Sequence, residues 1–138
     1  MNILFLCVGN SARSQIAEGL AKEMLGSSHN IQSAGSDPAK KIHKAAINTM
    51  SEVGIDISKH YPKSIKEIDK SFIDDLDFVI TLCAEESCPI ISTKAKIMSW
   101  PNEDPDNDSY NDRQNEVIFR KTRENIFKLL KNFMLLNT

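Results

Sequence analysis

The chain has 138 residues, of which 41% are apolar, and its 17 Lys and Arg against 19 Asp and Glu leave a net charge of -2. This length suits one domain spanning residues 1–138, and the apolar share is enough for a core, which argues against wholesale disorder. The absence of a broad positive field argues against nucleic acid as a partner, and no window approaches the roughly 20 apolar residues that cross a bilayer, so no membrane is expected either. Residues 1–8 are apolar but run straight into Asn10, Ser11 and Arg13, and so read as a buried strand and not a leader peptide. A cytoplasmic location is expected. There Cys7, Cys83 and Cys88 rest as thiols, and their odd number argues against a disulfide-stapled scaffold.

In chain order, residues 2–6 form a strongly apolar run, as suits a strand covered on both faces. A helix is predicted over 11–25, because Ile16, Leu20 and Met24 recur every four residues with Ala17 and Ala21 beside them, and Gly26 is its stop. Residues 31–34 are a second strand ended by Gly35. Residues 39–53 read as a helix through Ile42, Ala46, Met50 and Val53, stopped by Gly54. A loop or short helical region covers 56–77, a clear buried strand 78–82, and a weaker strand 96–98. Residues 100–112, with two prolines and five acids, read as a loop. The chain closes on an amphipathic helix over 111–136, with Ile118, Thr122, Ile126, Leu129, Phe133 and Leu136 in register. Phe119, Phe127, Phe133 and Met134 are expected in its core face, Trp100 at the edge of the site loop, and His29, His43 and His60 toward solvent. Strands alternating with helices define an α/β domain with a parallel sheet between helices, whose sites lie beyond the carboxyl ends of the strands. Cys7 and Cys83 occupy two such ends.

The sharpest feature is Cys7-Val8-Gly9-Asn10-Ser11-Ala12-Arg13-Ser14. A cysteine ends a buried strand, and five residues later an arginine opens a helix. A loop wound this tightly can turn its N–H groups inward, and the helix start adds unpartnered N–H groups and a partial positive charge. Gly9 is expected to make the sharp turn through its tolerance of positive φ. The result is a cradle for a tetrahedral oxyanion built from Val8, Gly9, Asn10, Ser11, Ala12, Arg13 and Ser14, with the Arg13 fork able to grip two oxygens. The same field favours a thiolate at Cys7, and Ser14 is placed to donate a hydroxyl hydrogen bond to it.

Cys-x5-Arg-Ser is the signature of the low-molecular-weight tyrosine phosphatase fold. The longer string from Leu6 through Gln15 to Glu18-Gly19 resembles the thioredoxin-coupled arsenate reductases built on that fold. Ser33-Ala34-Gly35, the Val53-Gly54-Ile55-Asp56-Ile57-Ser58 string and Val79-Ile80-Thr81-Leu82-Cys83 are similar to further stretches of the same family. The resemblance implies a three-layer sandwich with a central, mostly parallel four-stranded sheet flanked by helices. It implies reduction of arsenate, with phosphate and sulfate as competing anions, by a monomer that needs no cofactor. In the implied cycle Cys7 attacks arsenic, Cys83 attacks the Cys7 sulfur as arsenite leaves, and Cys88 then takes Cys83 into a disulfide that thioredoxin reduces. Asp104 of Asp104-Pro105 is the implied general acid, with Glu103 as its fallback. Three ligands of a potassium site found in some relatives match Asn10, Glu18 and Ser33. The remaining acidic position falls on Lys63, whose ammonium can supply the charge, so no metal is expected. Two departures stand out: Ala12 replaces a cysteine common in relatives, and only four residues separate Cys83 from Cys88.

A helix over 83–88 would hold the two Cα atoms about 7.5 Å apart by rise alone, beyond the roughly 6.8 Å limit of a disulfide. The segment is therefore expected to leave the helix on oxidation and to differ between redox states, and Pro89 already disfavours helical dihedrals at Cys88. A small tyrosine phosphatase with protective cysteines, and a non-enzymatic anion-binding or redox-sensing module, are the competing readings. Asp106 stands where phosphatases place an aromatic residue, which weakens the first of these.

Overall fold

The computed structural model describes residues 1–85 and 88–137. Its elements in chain order are β1 (Asn2–Cys7), α1 (Arg13–Leu25), β2 (Asn30–Gly35), α2 (Lys44–Ser51), a 3-10 turn (Ile65–Glu67), α3 (Lys70–Asp74), β3 (Phe78–Cys83), β4 (Lys96–Asn102) and α4 (Asp112–Asn137). The four strands form one sheet in the order β2-β1-β3-β4, and every pairing is parallel. Alternate residues of β1 therefore serve opposite layers. Ile3, Phe5 and Cys7 face a core shared with Ile16 and Leu20 of α1, Met50 of α2, and Phe119, Ile126 and Phe133 of α4. Leu4 and Leu6 face a smaller core completed by Ile68, Phe72 and Leu76. The result is the three-layer α/β sandwich expected from the alternation of strands and helices.

Several expectations need correction. The helix expected over 39–53 is confined to Lys44–Ser51. Asp37, Ala39 and His43 instead donate their backbone N–H groups to the preceding loop, and His43 caps α2, its Nδ1 accepting from Ala45 N–H at 3.0 Å. Ile42 is buried all the same. The weak strand over 96–98 extends to Asn102, and Pro101 is tolerated because β4 is a sheet edge. In α4 the buried stripe is Phe119, Thr122, Ile126, Leu130 and Phe133, rotated from the expected one. Leu136 is 74% exposed and Phe127 37% exposed. Trp100 lies within the main core, with ring centroids 6.3 Å from Phe5 and 6.0 Å from Phe133. The three histidines are half-buried and bonded instead of solvent-facing: His29 Nδ1 meets the Met1 amino group at 2.7 Å, His43 stacks on Phe119, and His60 meets Gln15 Oε1 at 3.0 Å.

Candidate active site

β1 lies between β2 and β3, so the chain leaving Cys7 emerges where its neighbours pass to either side, the usual site position in an open parallel sheet. The turn after Cys7 is made by Asn10 and not by Gly9. Asn10 has φ 50° and Gly9 has no positive φ. Asparagine enters the left-handed region more readily than other side-chain-bearing residues, which explains the exchange. The carbonyls of Val8, Gly9 and Ser11 accept from the N–H groups of Asp37, Ala39 and His43, each at 2.9 Å. These bonds hold the loop carbonyls outward. Gly35 permits the close fit, since a Cβ there would collide with the carbonyl oxygen of Val8. The cap of α1 is Ala12, which offers no side-chain cap, so the first amides of the helix stay available to an anion.

Cys7 is 2% exposed and is the free cysteine of the chain. Its Sγ accepts from Asn10 N–H at 3.2 Å and lies 2.8 Å from Ser14 Oγ. The direction of the second contact follows from its neighbour. Asn10 Nδ2 donates to Ser14 Oγ at 2.7 Å, so the serine's single hydrogen is free to point at the sulfur. Asn10 N–H and the Ser14 hydroxyl thus both face Sγ. Asn10 also donates to Ser33 Oγ at 3.0 Å and accepts from Gln15 Nε2 at 3.1 Å and Lys63 N–H at 3.0 Å. This fully buried side chain fastens the loop to α1, β2 and the 61–63 segment.

Behind the loop sits a charged cluster. Glu18, 4% exposed, accepts from Ser33 Oγ at 2.7 Å and from Lys22 Nζ at 2.8 Å, with Lys63 Nζ at 3.9 Å and His60 Nδ1 at 3.4 Å. Burial pushes the Glu18 carboxyl up. The hydrogen bonds from Lys22 and Ser33 and the charges of Lys22 and Lys63 outweigh it and hold the group below its ordinary value. Burial holds both His60 and Lys63 below theirs. Asn10, Glu18 and Ser33 do come together, but two ammonium groups already satisfy Glu18. The set fits a tethered ammonium and does not fit a potassium ion. Among the described residues no group of three or more His, Cys, Asp or Glu could hold a metal.

Arg13 is 3% exposed. Its Nη1 and Nη2 donate to Glu85 Oε1 and Oε2 at 2.6 and 2.7 Å, and Nη1 also donates to the Asn102 carbonyl at 2.9 Å. Asp104 Oδ2 lies 3.8 Å from Nη2 on a side chain 51% exposed, so the expected acid stands at the mouth of the loop. Glu103 is exposed and makes no ion pair with Arg13. Cys83 and Cys88, expected as resting thiols, instead form a disulfide with Cα atoms 5.6 Å apart, because the fold sets their sulfurs within bonding reach. Cys88 N–H donates to the Glu85 carbonyl at 3.3 Å. Glu86 and Ser87, on which the expected rearrangement partly falls, lie outside the described residues. Sequence reasoning gave no role to Glu85, Asn102 or Gln15, and it turned His60 toward solvent. Only Glu85 carried a signal, as an acid enclosed by two redox cysteines.

A strand-to-helix anion loop with a buried cysteine at its base and an arginine at its exit marks a phosphatase-like class, and the chain belongs to the low molecular weight phosphotyrosine protein phosphatase family, which it matches over residues 2–137. Within that family it is similar to arsenate reductases. It is 37% identical over 133 residues to an arsenate reductase of Halalkalibacterium halodurans, covering 95% of this chain and 93% of that protein. A solved structure of an arsenate reductase in the phosphate binding state superposes with a TM-score of 0.78 at 30% identity, covering 99% of this chain and 98% of the other. The thioredoxin-dependent arsenate reductase of Corynebacterium glutamicum superposes with a TM-score of 0.68 at 32% identity, covering 98% of this chain and 62% of that one.

Proposed function

We propose that this chain reduces arsenate to arsenite and is regenerated by thioredoxin. In the cycle the amides of residues 8–14 and the Arg13 fork bind the oxyanion. Cys7 thiolate attacks arsenic, and Asp104 gives a proton to the departing oxygen. Cys83 then attacks the Cys7 sulfur. The As–S bond breaks, its electron pair stays on arsenic, and arsenite leaves behind a Cys7–Cys83 disulfide. Cys88 displaces Cys7 from Cys83, and the Cys83–Cys88 disulfide takes two electrons and two protons from a dithiol of the thioredoxin class.

The observation that carries this reading is the pairing of the cysteines. Cys83 with Cys88, and Cys7 free, is the arrangement on which the cycle ends. A groove of about 430 Å³ runs beside the disulfide, lined by Cys88, Pro89, Ile90, Ile97 and Pro101, and supports access by a protein dithiol. The need for a thioredoxin pool supports a cytoplasmic setting.

The test is arsenate reduction with thioredoxin, thioredoxin reductase and NADPH, run beside hydrolysis of an aryl phosphate. Cys7→Ser is expected to abolish both activities. Cys83→Ser and Cys88→Ser are expected to abolish sustained reduction and to spare weak hydrolysis. Full thioredoxin-driven turnover by Cys83→Ser would reject the relay.

A further inference from the structure

The disulfide segment carries an anion of its own. Arg13 is the only cationic side chain between Cys7 and Ser14, and both its terminal nitrogens are held by the two oxygens of Glu85. This is the parallel fork geometry with which arginine binds carboxylates and phosphates. Glu85 lies two residues after Cys83. The disulfide clamps the Cα atoms of Cys83 and Cys88 to 5.6 Å, and within that clamp Cys88 N–H donates to the Glu85 carbonyl at 3.3 Å. Glu85 thus meets Arg13 while its own carbonyl is tied to a residue of the covalent clamp.

We propose that Glu85 is a redox-controlled occupant of the oxyanion site: it holds the Arg13 fork while the Cys83–Cys88 disulfide stands and gives it up when the pair is reduced. This rests on the reductase reading given above. Its consequence is an order of events. The oxidised protein, which has no electrons for arsenic, does not retain arsenate, phosphate or sulfate. Reduction opens the 5.6 Å clamp, releases Glu85 from Arg13, and restores the fork to the incoming anion. Linkage makes the effect reciprocal, so an anion that prefers the dithiol form must make the disulfide easier to reduce by the same factor.

The test needs no turnover. In a Cys7→Ser background, where Cys83 and Cys88 are the only thiols, phosphate affinity is measured calorimetrically for the disulfide and dithiol forms. The dithiol form is expected to bind phosphate at least about tenfold more tightly, and Glu85→Gln to bring the two forms within about twofold. Saturating phosphate is expected to raise the reduction potential of the pair by about 30 mV for each tenfold difference, a shift that Glu85→Gln removes. Glu103→Gln deletes an equal charge from a carboxylate that does not touch Arg13 and is expected to leave the difference intact. Equal affinities in the two redox states, a difference that survives Glu85→Gln, or an equal loss in Glu103→Gln would each overturn the proposal. Failure of wild-type protein to reduce arsenate with thioredoxin would instead sink the reductase reading and leave this binding result standing.

Discussion

Ser14 and Asn10 show how much of the site chemistry rests on single hydrogen bonds. Ser14 is able to donate to the Cys7 sulfur because Asn10 Nδ2 donates to its oxygen and leaves its hydroxyl hydrogen free. A hydrogen bond to a charged group contributes roughly 1.5–3 kcal/mol, so Ser14→Ala is expected to slow alkylation of Cys7 at neutral pH by about tenfold or more. Iodoacetamide applied to the disulfide form reads this cleanly, since Cys7 is then the free cysteine. Asn10→Ala removes four side-chain hydrogen bonds from a fully buried position and leaves Ser33, Gln15 and Lys63 N–H without that partner. A loss of at least about 2 kcal/mol of unfolding free energy is expected by urea denaturation.

At the scale of elements, the anion loop is shaped as much by what surrounds it as by its own residues. β2 ends in Gly35, against which Val8 and Asn10 pack directly. Gly35→Ala must push the loop backbone away. It is expected to cost about 1–3 kcal/mol of stability and to weaken phosphate binding by the dithiol form, measured by calorimetry. The segment between α2 and the 3-10 turn brings His60 and Lys63 to Glu18 of α1. Burial holds His60 below its ordinary 6.5, so the unfolded chain binds the proton first as pH falls. Stability is therefore complete above pH 6.5 and declines as pH drops from 6.5 through the folded value. His60→Gln is expected to flatten that decline when urea midpoints are compared at pH 7.5 and 5.5. Because Lys63 already faces Glu18, turnover in potassium and sodium buffers of equal ionic strength is expected to be the same.

For the whole molecule, parallel pairing of β1 with β3 puts two cysteines from distant parts of the sequence at neighbouring strand ends, Cys7 on one and Cys83 on the other. The relay needs that adjacency, and its capacity is countable. Fully reduced protein given arsenate without thioredoxin is expected to release one arsenite per chain and stop, because one dithiol holds two electrons. Cys88→Ser is expected to release the same single equivalent and to accumulate the Cys7–Cys83 disulfide, detectable by mass spectrometry of a digest. A yield well above one per chain would contradict the relay.

The local code was enough to place the strands and the strand-to-helix loop after Cys7, while the pairing of Cys83 with Cys88 was read from the family resemblance. Apolar runs, helical spacing and the Cys-x5-Arg pattern are short-range signals that survive without tertiary context. That code placed the left-handed turn on Gly9, extended α2 back through residues 39–43, and turned the histidines outward. In each case a long-range partner decided otherwise: the Asn10 side chain found four partners across α1, β2 and the 61–63 segment, the loop carbonyls captured the N–H groups of Asp37, Ala39 and His43, and the histidines met the amino terminus, Phe119 and Glu18. Only the tertiary structure could bring Glu85 onto Arg13, 72 residues away, because an ion pair across that separation exists only once the sheet has set the ends of β1 and β3 side by side.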